Sequence, residues 1–327
     1  MAQGKVVWLA RVEPELWDIF IAEAPSDLQV VMADPNRSEE EIAEQVRDAD
    51  FLVLYRSGRV PDQVVRRARQ LKLIQTMGQG TDHIPMRLAS ELGIPVANSG
   101  GGNAVAVAEH TVLLMLATLK RLLPSVEALR QGKFNRDMDK RYFHQLYEKR
   151  VGIVGFGNIG RRVAKLVHDF DTNIIFFDEA EIPQSIIVDF QARRVSLEEL
   201  LSSADVVTLH VPLLESTRGM IGWEQLTMMK PSAILINTSR GRVVDEAALI
   251  RALREKNIAG AGIDVFEQEP PSRDNLLLHM DNVVATPHIG GAVWENWAPR
   301  VKGTWENLLR VWEGREPHNV VVCKGAC

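Results

Sequence analysis

Cysteine is nearly absent from this sequence. Its 327 residues hold two, Cys323 and Cys327, both within the last five positions. That excludes a disulfide framework, and the tail is expected to fray with two incidental thiols. An excess of basic charge is also missing: 38 Lys and Arg against 43 Asp and Glu give a net charge of -5. Such a balance leaves no electrostatic footprint for nucleic acid, which is not expected as a partner. No window of 18 residues is both apolar and uncharged, so no membrane span is expected. The opening stretch, MAQGKVVWLARVEPEL, lacks a long apolar run before a small-residue cleavage site, so a secretory leader is not expected either. No histidine stands at metal-ligand spacing from a Cys, Asp or second His, and no metal site is expected. The expectation is a soluble, cytoplasmic protein.

What is present is enough apolar residue, 46% of the chain, for about two domains with real cores. The chemistry begins at residues 151–178. An apolar run, Val151 to Val154, leads into Gly155-Phe156-Gly157-Asn158-Ile159-Gly160, then a helical pattern, then a second apolar run that ends on Asp178. A glycine triplet alone is a weak signal. Here it follows a strand, opens a helix and has an acid at the proper distance, which is the pattern of a dinucleotide site. Gly155 allows the tight turn, Gly157 admits a pyrophosphate, and Gly160 lets helix and strand pack closely. The helix N-terminus offers N–H groups to the phosphates. Asp178 suits a ribose 2′-hydroxyl and repels a 2′-phosphate, which favours NAD over NADP. Glu179 strengthens that preference, and Arg161 and Arg162 weaken it.

Apolar runs and helical stripes alternate on both sides of this stretch. Strands are expected at 6–10, 27–32, 51–55, 71–77 and 94–98, with helices between them, one opened by a capping box from Ser38 to Glu41. This is a parallel α/β domain in its own right. Ser99-Gly-Gly-Gly102 reads as a joint. A long helical region, 103–131, follows, apolar on more than one side and expected to kink or divide at Pro124. The α/β rhythm then runs from 151 to about 288, and a helix over 292–312 is expected to pack back on the first domain.

Three polar signals fall at the ends of late strands, where open α/β sheets bind ligands. Arg240-Gly241 offers a rigid fork for a carboxylate or carbonyl oxygen; its bland reading is a surface arginine paired with Asp245. Asp264, Glu267 and Glu269 precede two prolines; the bland reading is a solvated acidic turn. His288, after Pro287 and before two glycines, is a held histidine suited to proton transfer; the bland reading is a structural histidine. Glu269 beside it would favour the imidazolium.

Taken together these motifs resemble the D-2-hydroxyacid dehydrogenases, the formate, glycerate and phosphoglycerate dehydrogenase group. The similarity runs through Gly78-Gln79-Gly80-Thr81-Asp82, Gly102-Asn103 with Val107-Ala108-Glu109, VGIVGFGNIG, HVPLLESTRGMI (210–221), INTSRGRVVDE (236–246), GIDVFEQEPP and TPHIGG. It implies two Rossmann-like or flavodoxin-like lobes with parallel sheets and an active site in the cleft between them. Residues 1–101 with 290–327 would form the substrate lobe, and 102–289 the NAD lobe. It implies His288 as general acid/base, Glu269 as its partner and Arg240 as the group that binds and polarises a 2-keto acid. Cofactor contacts are implied along Gly155, Gly157, Asn158, Ile159, Gly160, Asp178, His210, Val211, Pro212, Thr217, Thr238, Ser239, Asp264, His288 and Gly290, with Asp264 at the nicotinamide amide. Substrate contacts are implied at Met77, Gly78, Gln79 and Gly80. A homodimer through the region after Gly102 completes the picture.

The acid itself stays open. Arg56 and Arg136 resemble phosphate-reaching positions of the phosphoglycerate branch, yet Met77 stands where that branch carries an arginine, and Gln79 replaces a small residue. Glycerate/hydroxypyruvate and other 2-keto acids remain. The formate branch is disfavoured because it replaces the acidic partner of the histidine, and Glu269 is retained. No added regulatory domain is expected after the last helix. Two other readings use the same fold: an NAD(H)-sensing regulatory or corepressor-like binding protein, and oxidation of an unusual small anion such as phosphite.

Overall fold

The computed structural model describes residues 4–134 and 139–322. The chain divides into two compact units, one of Met1–Asn103 with Val293–Cys327, the other of Ala104–Ala292. Each is built on its own sheet.

In the first unit strands alternate with helices: β1 (Gly4–Ala10), α1 (Pro14–Ala22), β2 (Leu28–Ala33), α2 (Glu39–Val46), β3 (Phe51–Tyr55), α3 (Asp62–Arg67), β4 (Leu73–Thr76), α4 (Met86–Glu91) and β5 (Val96–Ala97). The capping box opens α2: Ser38 Oγ accepts from Glu41 N, and Glu41 Oε2 accepts from Ser38 N at 3.0 Å. The central strands read as unbroken apolar runs because both faces are covered, as parallel sheets require. Phe51 to Leu54, for example, are all fully buried.

The second unit begins with α5 (Ala104–Leu119) and α6 (Leu122–Arg130). The long helical region breaks at Lys120 and Arg121, where Arg121 takes φ +50°, and Pro124 lies inside the first turn of α6. The position follows from the ring. Proline clashes with the carbonyl four residues back, here Lys120, but is tolerated in a first helical turn. Then come β6 (Arg150–Val154), α7 (Asn158–His168), β7 (Asn173–Phe177), α8 (Gln184–Asp189), β8 (Arg193–Arg194), α9 (Leu197–Ser203), β9 (Val206–Leu209), α10 (Trp223–Met228), β10 (Ile234–Asn237), α11 (Glu246–Arg254), β11 (Gly260–Ile263) and β12 (Val283–Ala285). The seven strands are parallel, in the order β12-β11-β10-β9-β6-β7-β8. This is the doubly wound order, with its reversal between β6 and β9. Helices α5 and α7 cover one face through Leu114, Met115, Val163 and Val167, and α9, α10 and α11 cover the other through Leu200, Leu226 and Leu249.

The chain returns to the first unit through α12 (Trp297–Trp312) and β13 (Val320–Val322). The helix lays Trp297, Val301, Trp305 and Leu308 against Trp8, Phe20 and Phe51. Trp305 Nε1 donates to Phe20 O at 2.8 Å, and Asn307 Nδ2 to Gln75 Oε1 at 2.8 Å. Strand β13 pairs antiparallel with β5, giving the order β13-β5-β4-β3-β1-β2. The reversal in this sheet falls between β1 and β3.

Candidate active site

The glycine turn leaves β6 beside the reversal of the second sheet. Gly155 has φ +92°, and a Cβ there would stand 2.8 Å from the His210 carbonyl group at the end of β9. A Cβ on Gly160 would lie 2.1 Å from Gly155 O. These two glycines are therefore fixed by packing inside the protein. Gly157 is different: a Cβ there meets nothing within 4 Å, and no side chain caps α7. The open side of Gly157 and the uncapped N–H groups of Asn158 and Ile159 fit a pyrophosphate. Asp178, at the end of β7, takes Phe156 N at 2.6 Å and Ala180 N at 2.8 Å on its two oxygens, which fixes the carboxylate against the turn. Arg161 Nε donates to Phe156 O at 2.8 Å, so this cation is held by the turn.

At the carboxyl ends of β10, β11 and β12 the candidate acid–base residues come together. His288 Nδ1 lies 2.7 Å from Glu269 Oε2, and Glu269 Oε1 accepts from Phe266 N at 3.0 Å. Partial burial opposes ionisation of Glu269. The hydrogen bond and charge of His288, the Phe266 N–H and the nearby Arg240 outweigh it, and the carboxyl is held below its usual value. Arg240 precedes a short turn at Gly241–Val243. A Cβ on Gly241 would overlap the Phe266 carbonyl group at 1.9 Å, so glycine is what lets the arginine loop lie against the strand exit that carries Glu269. Asn237 Nδ2 donates to Arg240 O at 3.0 Å and holds the same loop.

Asp264 is 2% exposed and heavily bonded. Oδ1 accepts from Thr286 Oγ1 at 2.6 Å and Ile289 N at 2.9 Å, Oδ2 accepts from Gly290 N at 2.8 Å, and His110 Nε2 lies 3.4 Å from Oδ1. Burial opposes ionisation, but these donors prevail and keep the carboxyl below its usual value. His110 and Thr286 were not singled out from the sequence. Their signal was faint: one histidine in an apolar helix and one threonine before a proline.

His210 is enclosed. Its Nε2 lies 2.9 Å from Thr208 Oγ1, its Nδ1 is buried without a hydrogen-bond partner, and burial pushes its pKa down to about 3. Thr217 closes its own turn with Pro212 O at 2.6 Å and Leu214 N at 2.8 Å, next to Val211. Thr238 Oγ1 meets Thr111 Oγ1 at 2.9 Å, and Ser239 Oγ donates to Asn237 Oδ1 at 2.8 Å. These three side chains are engaged in holding loops.

The substrate candidates Arg56, Met77, Gly78, Gln79 and Gly80 belong to the first unit. The Met77 side chain is fully buried in the apolar core with Trp8 and Leu73, because it continues the inward pattern of β4. The turn after it is more open, with Asn98 Nδ2 on Gln79 O at 3.0 Å and Gly78 N on Thr76 Oγ1 at 3.2 Å. Arg56 has φ +49°, and its guanidinium lies 5.4 Å from the centre of the Tyr55 ring. It lines an open cavity of about 540 Å³ with Arg11, Val12, Glu13, Pro35 and Asn36, where the first sheet reverses. Arg300, also missed, approaches the same ring at 5.7 Å. Arg136 lies outside the described residues, as do Cys323 and Cys327. Among the described residues no cluster of three or more His, Cys, Asp or Glu is placed to hold a metal ion, and no helix is long and apolar enough to cross a membrane.

Residues 112–290 match the family model described as D-isomer specific 2-hydroxyacid dehydrogenase, NAD binding domain. The chain belongs to this family. It is 40% identical over 287 residues to a D-3-phosphoglycerate dehydrogenase of Methanocaldococcus jannaschii, a match that covers 87% of this chain and 54% of that protein. The chain thus spans about half the length of that relative. It is 36% identical over 320 residues to a glyoxylate reductase of Pyrococcus furiosus, covering 96% and 94% of the two chains. Among solved structures, D-lactate dehydrogenase from Aquifex aeolicus, complexed with NAD and lactic acid, superposes with a TM-score of 0.84 at 27% identity, covering 98% and 99%. Membership in the dehydrogenase family makes the second unit an NAD-binding domain, in agreement with the open Gly157 and the carboxylate at Asp178.

Proposed function

We propose that this chain is an NAD-dependent dehydrogenase that interconverts a small 2-keto acid and its D-2-hydroxy acid. The observation that carries the reading is the His288–Glu269 pair, 2.7 Å apart, with Arg240 beside it on the NAD-binding unit. When bound, NADH supplies the hydride that reaches C2 of the keto acid. His288, as imidazolium, gives its proton to the forming alkoxide, and Glu269 holds the ring by Nδ1 so that Nε2 faces the reaction. Arg240 binds the substrate's oxygens and draws charge from the carbonyl. The peptide groups of Gly78, Gln79 and Gly80 are the proposed hold on the substrate carboxylate. In the oxidising direction neutral His288 is the base. The D configuration follows from the family.

Asp178 supports NAD over NADP: its carboxylate, held at the end of β7 by Phe156 N and Ala180 N, would accept from a ribose 2′-hydroxyl, and a 2′-phosphate would meet its charge. Glyoxylate and hydroxypyruvate are the first substrates to test, since Met77 is buried and brings no charge to the loop. Phosphohydroxypyruvate is a second reading, favoured by Arg11 and Arg56 around the first unit's cavity. Oxidation of NADH or NADPH, followed at 340 nm with each of these acids and pyruvate, tests all of this together. Failure of every acid would reject the activity, and equal rates with NADPH would reject the role of Asp178.

The reading includes a homodimer. Helices α5 and α6 expose Val105, Leu113, Leu122, Leu123 and Leu129, between 44% and 59%, more apolar surface than an isolated helix pair sustains in water. A second copy of the chain is the proposed cover.

A further inference from the structure

We propose that His110 is a positioning residue for His288, acting through the Thr286 hydroxyl and the Asp264 carboxylate. The inference rests on the acid–base role given to His288 above.

The argument is one of donors and acceptors. His288 has φ +54°, a backbone conformation that is uncommon for a residue with a side chain. Something must hold it there. Its own N–H donates to Asp264 O at 2.8 Å, and the next two N–H groups, Ile289 and Gly290, donate to the two oxygens of the Asp264 side chain. The turn that presents the imidazole is therefore wrapped around one buried aspartate. A Cβ on Gly290 would stand 2.9 Å from Asp264 Oδ2 and 3.4 Å from the His110 ring, so the wrap is tight.

Asp264 in turn has to be fixed in place. The hydroxyl of Thr286 has a single hydrogen, and the 2.6 Å contact assigns it to Asp264 Oδ1. Thr286 Oγ1 can then only accept from His110 Nε2, which lies 2.9 Å away. His110 must carry its proton on Nε2. The result is a directed chain, His110 Nε2–H to Thr286 Oγ1–H to Asp264, and Asp264 also accepts the N–H of His288 on its carbonyl and those of Ile289 and Gly290 on its carboxylate. A carboxylate has about four acceptor sites. Three are taken by Thr286, Ile289 and Gly290, which leaves one on Oδ2 for the proposed nicotinamide amide. Loss of His110 leaves Thr286 bonded to Asp264 but removes the donor that braces its hydroxyl and lies near Oδ1, which loosens the aspartate that holds the turn. The proton of His288 is then misplaced, while Arg240 and the substrate loop are untouched. The loss should therefore fall on kcat and leave KM for the keto acid largely unchanged.

The test uses the full-length chain. His110→Phe and Thr286→Val should each lower kcat about tenfold, with KM within about twofold of the parent. His110→Gln, which returns an N–H near Nε2, should recover most of the loss. The double variant should be no slower than the worse single, because both act through one chain. Wild-type kcat in either single variant, or losses that multiply in the double, would overturn the proposal. A second readout needs no turnover. Nitrogen-15 NMR of the imidazoles should give a proton on His110 Nε2, and a ring protonated at Nδ1 alone would overturn the proposal even if the activity were that of some other reaction. If the parent chain turned over no keto acid, the reading of the function would fail, and this NMR result would still decide the hydrogen-bond chain.

Discussion

In the proposed reaction His288 and Glu269 divide one task, and their variants should differ in depth. His288→Ala removes the proton donor, and kcat should fall by about 10²- to 10⁴-fold. Glu269→Gln keeps a polar partner at 2.7 Å but no charge, so a smaller loss is expected, about tenfold to 10²-fold. NADH binding, measured by quenching of protein emission, should survive both; a parallel loss of binding would remove their assignment to the chemical step. His210 makes a different prediction, about stability. Burial lowers its pKa from 6.5 to about 3 in the folded chain. Between those values the unfolded chain binds a proton that the folded chain refuses. Its contribution is fully present above pH 6.5 and falls as the pH drops towards 3, by about 1.4 kcal/mol per pH unit within the window. Urea unfolding at several pH values should show this slope in the parent and lose it in His210→Asn. An unchanged slope would reject the assignment.

At the scale of elements, the loops matter more than the strands they join. Gly241→Ala would drive a Cβ into the Phe266 carbonyl group. Arg240 and Glu269 should move apart, with kcat/KM falling at least tenfold and the melting point dropping by several degrees; a crystal structure of the variant with an unmoved loop would sink that account. Most elements were legible in the sequence because their signals were local: Phe51 to Tyr55 as an apolar run, Ser38 to Glu41 as a cap, Gly155 to Gly160 as a turn. Strands β8 and β13 were not legible. Both take strand form because a neighbouring edge is there to pair with: Val320–Val322 meets β5, far away in sequence, and Arg193–Arg194 is a two-residue strand beside β7 whose charged side chains give no strand signal. Pro124 was rightly read as a disturbance, but its effect falls four residues earlier, on the carbonyl its ring would strike. The site followed the same rule. Glycine-flanked residues such as Arg240 and His288 announced themselves, whereas His110 is 154 positions from Asp264 and only folding brings them together. The inward direction of Met77 was hidden by its place next to a loop glycine.

At the scale of the whole molecule, the apolar surface of α5 and α6 predicts self-association. Leu113→Glu with Leu129→Glu should convert the dimer to monomers in sedimentation; a parent that sediments as a monomer would refute the interface. His110 lies on the same helix as Leu113, so the split should also lower turnover on dilution. The aromatic packing of the first unit has an optical consequence. Six of the seven tryptophans, all but Trp223, lie in the first unit. Trp8 stacks on Phe20 at 4.1 Å and on Trp17 at 5.7 Å, within the core that α12 closes. Intrinsic fluorescence is therefore a lamp placed almost wholly in the unit that does not carry the dinucleotide fold. A chain with Trp223→Phe is a one-sided reporter: its emission follows melting of the first unit alone, while NAD, added in excess, stabilises the other. Whether the emission midpoint rises with NAD then measures how strongly the two units share their unfolding.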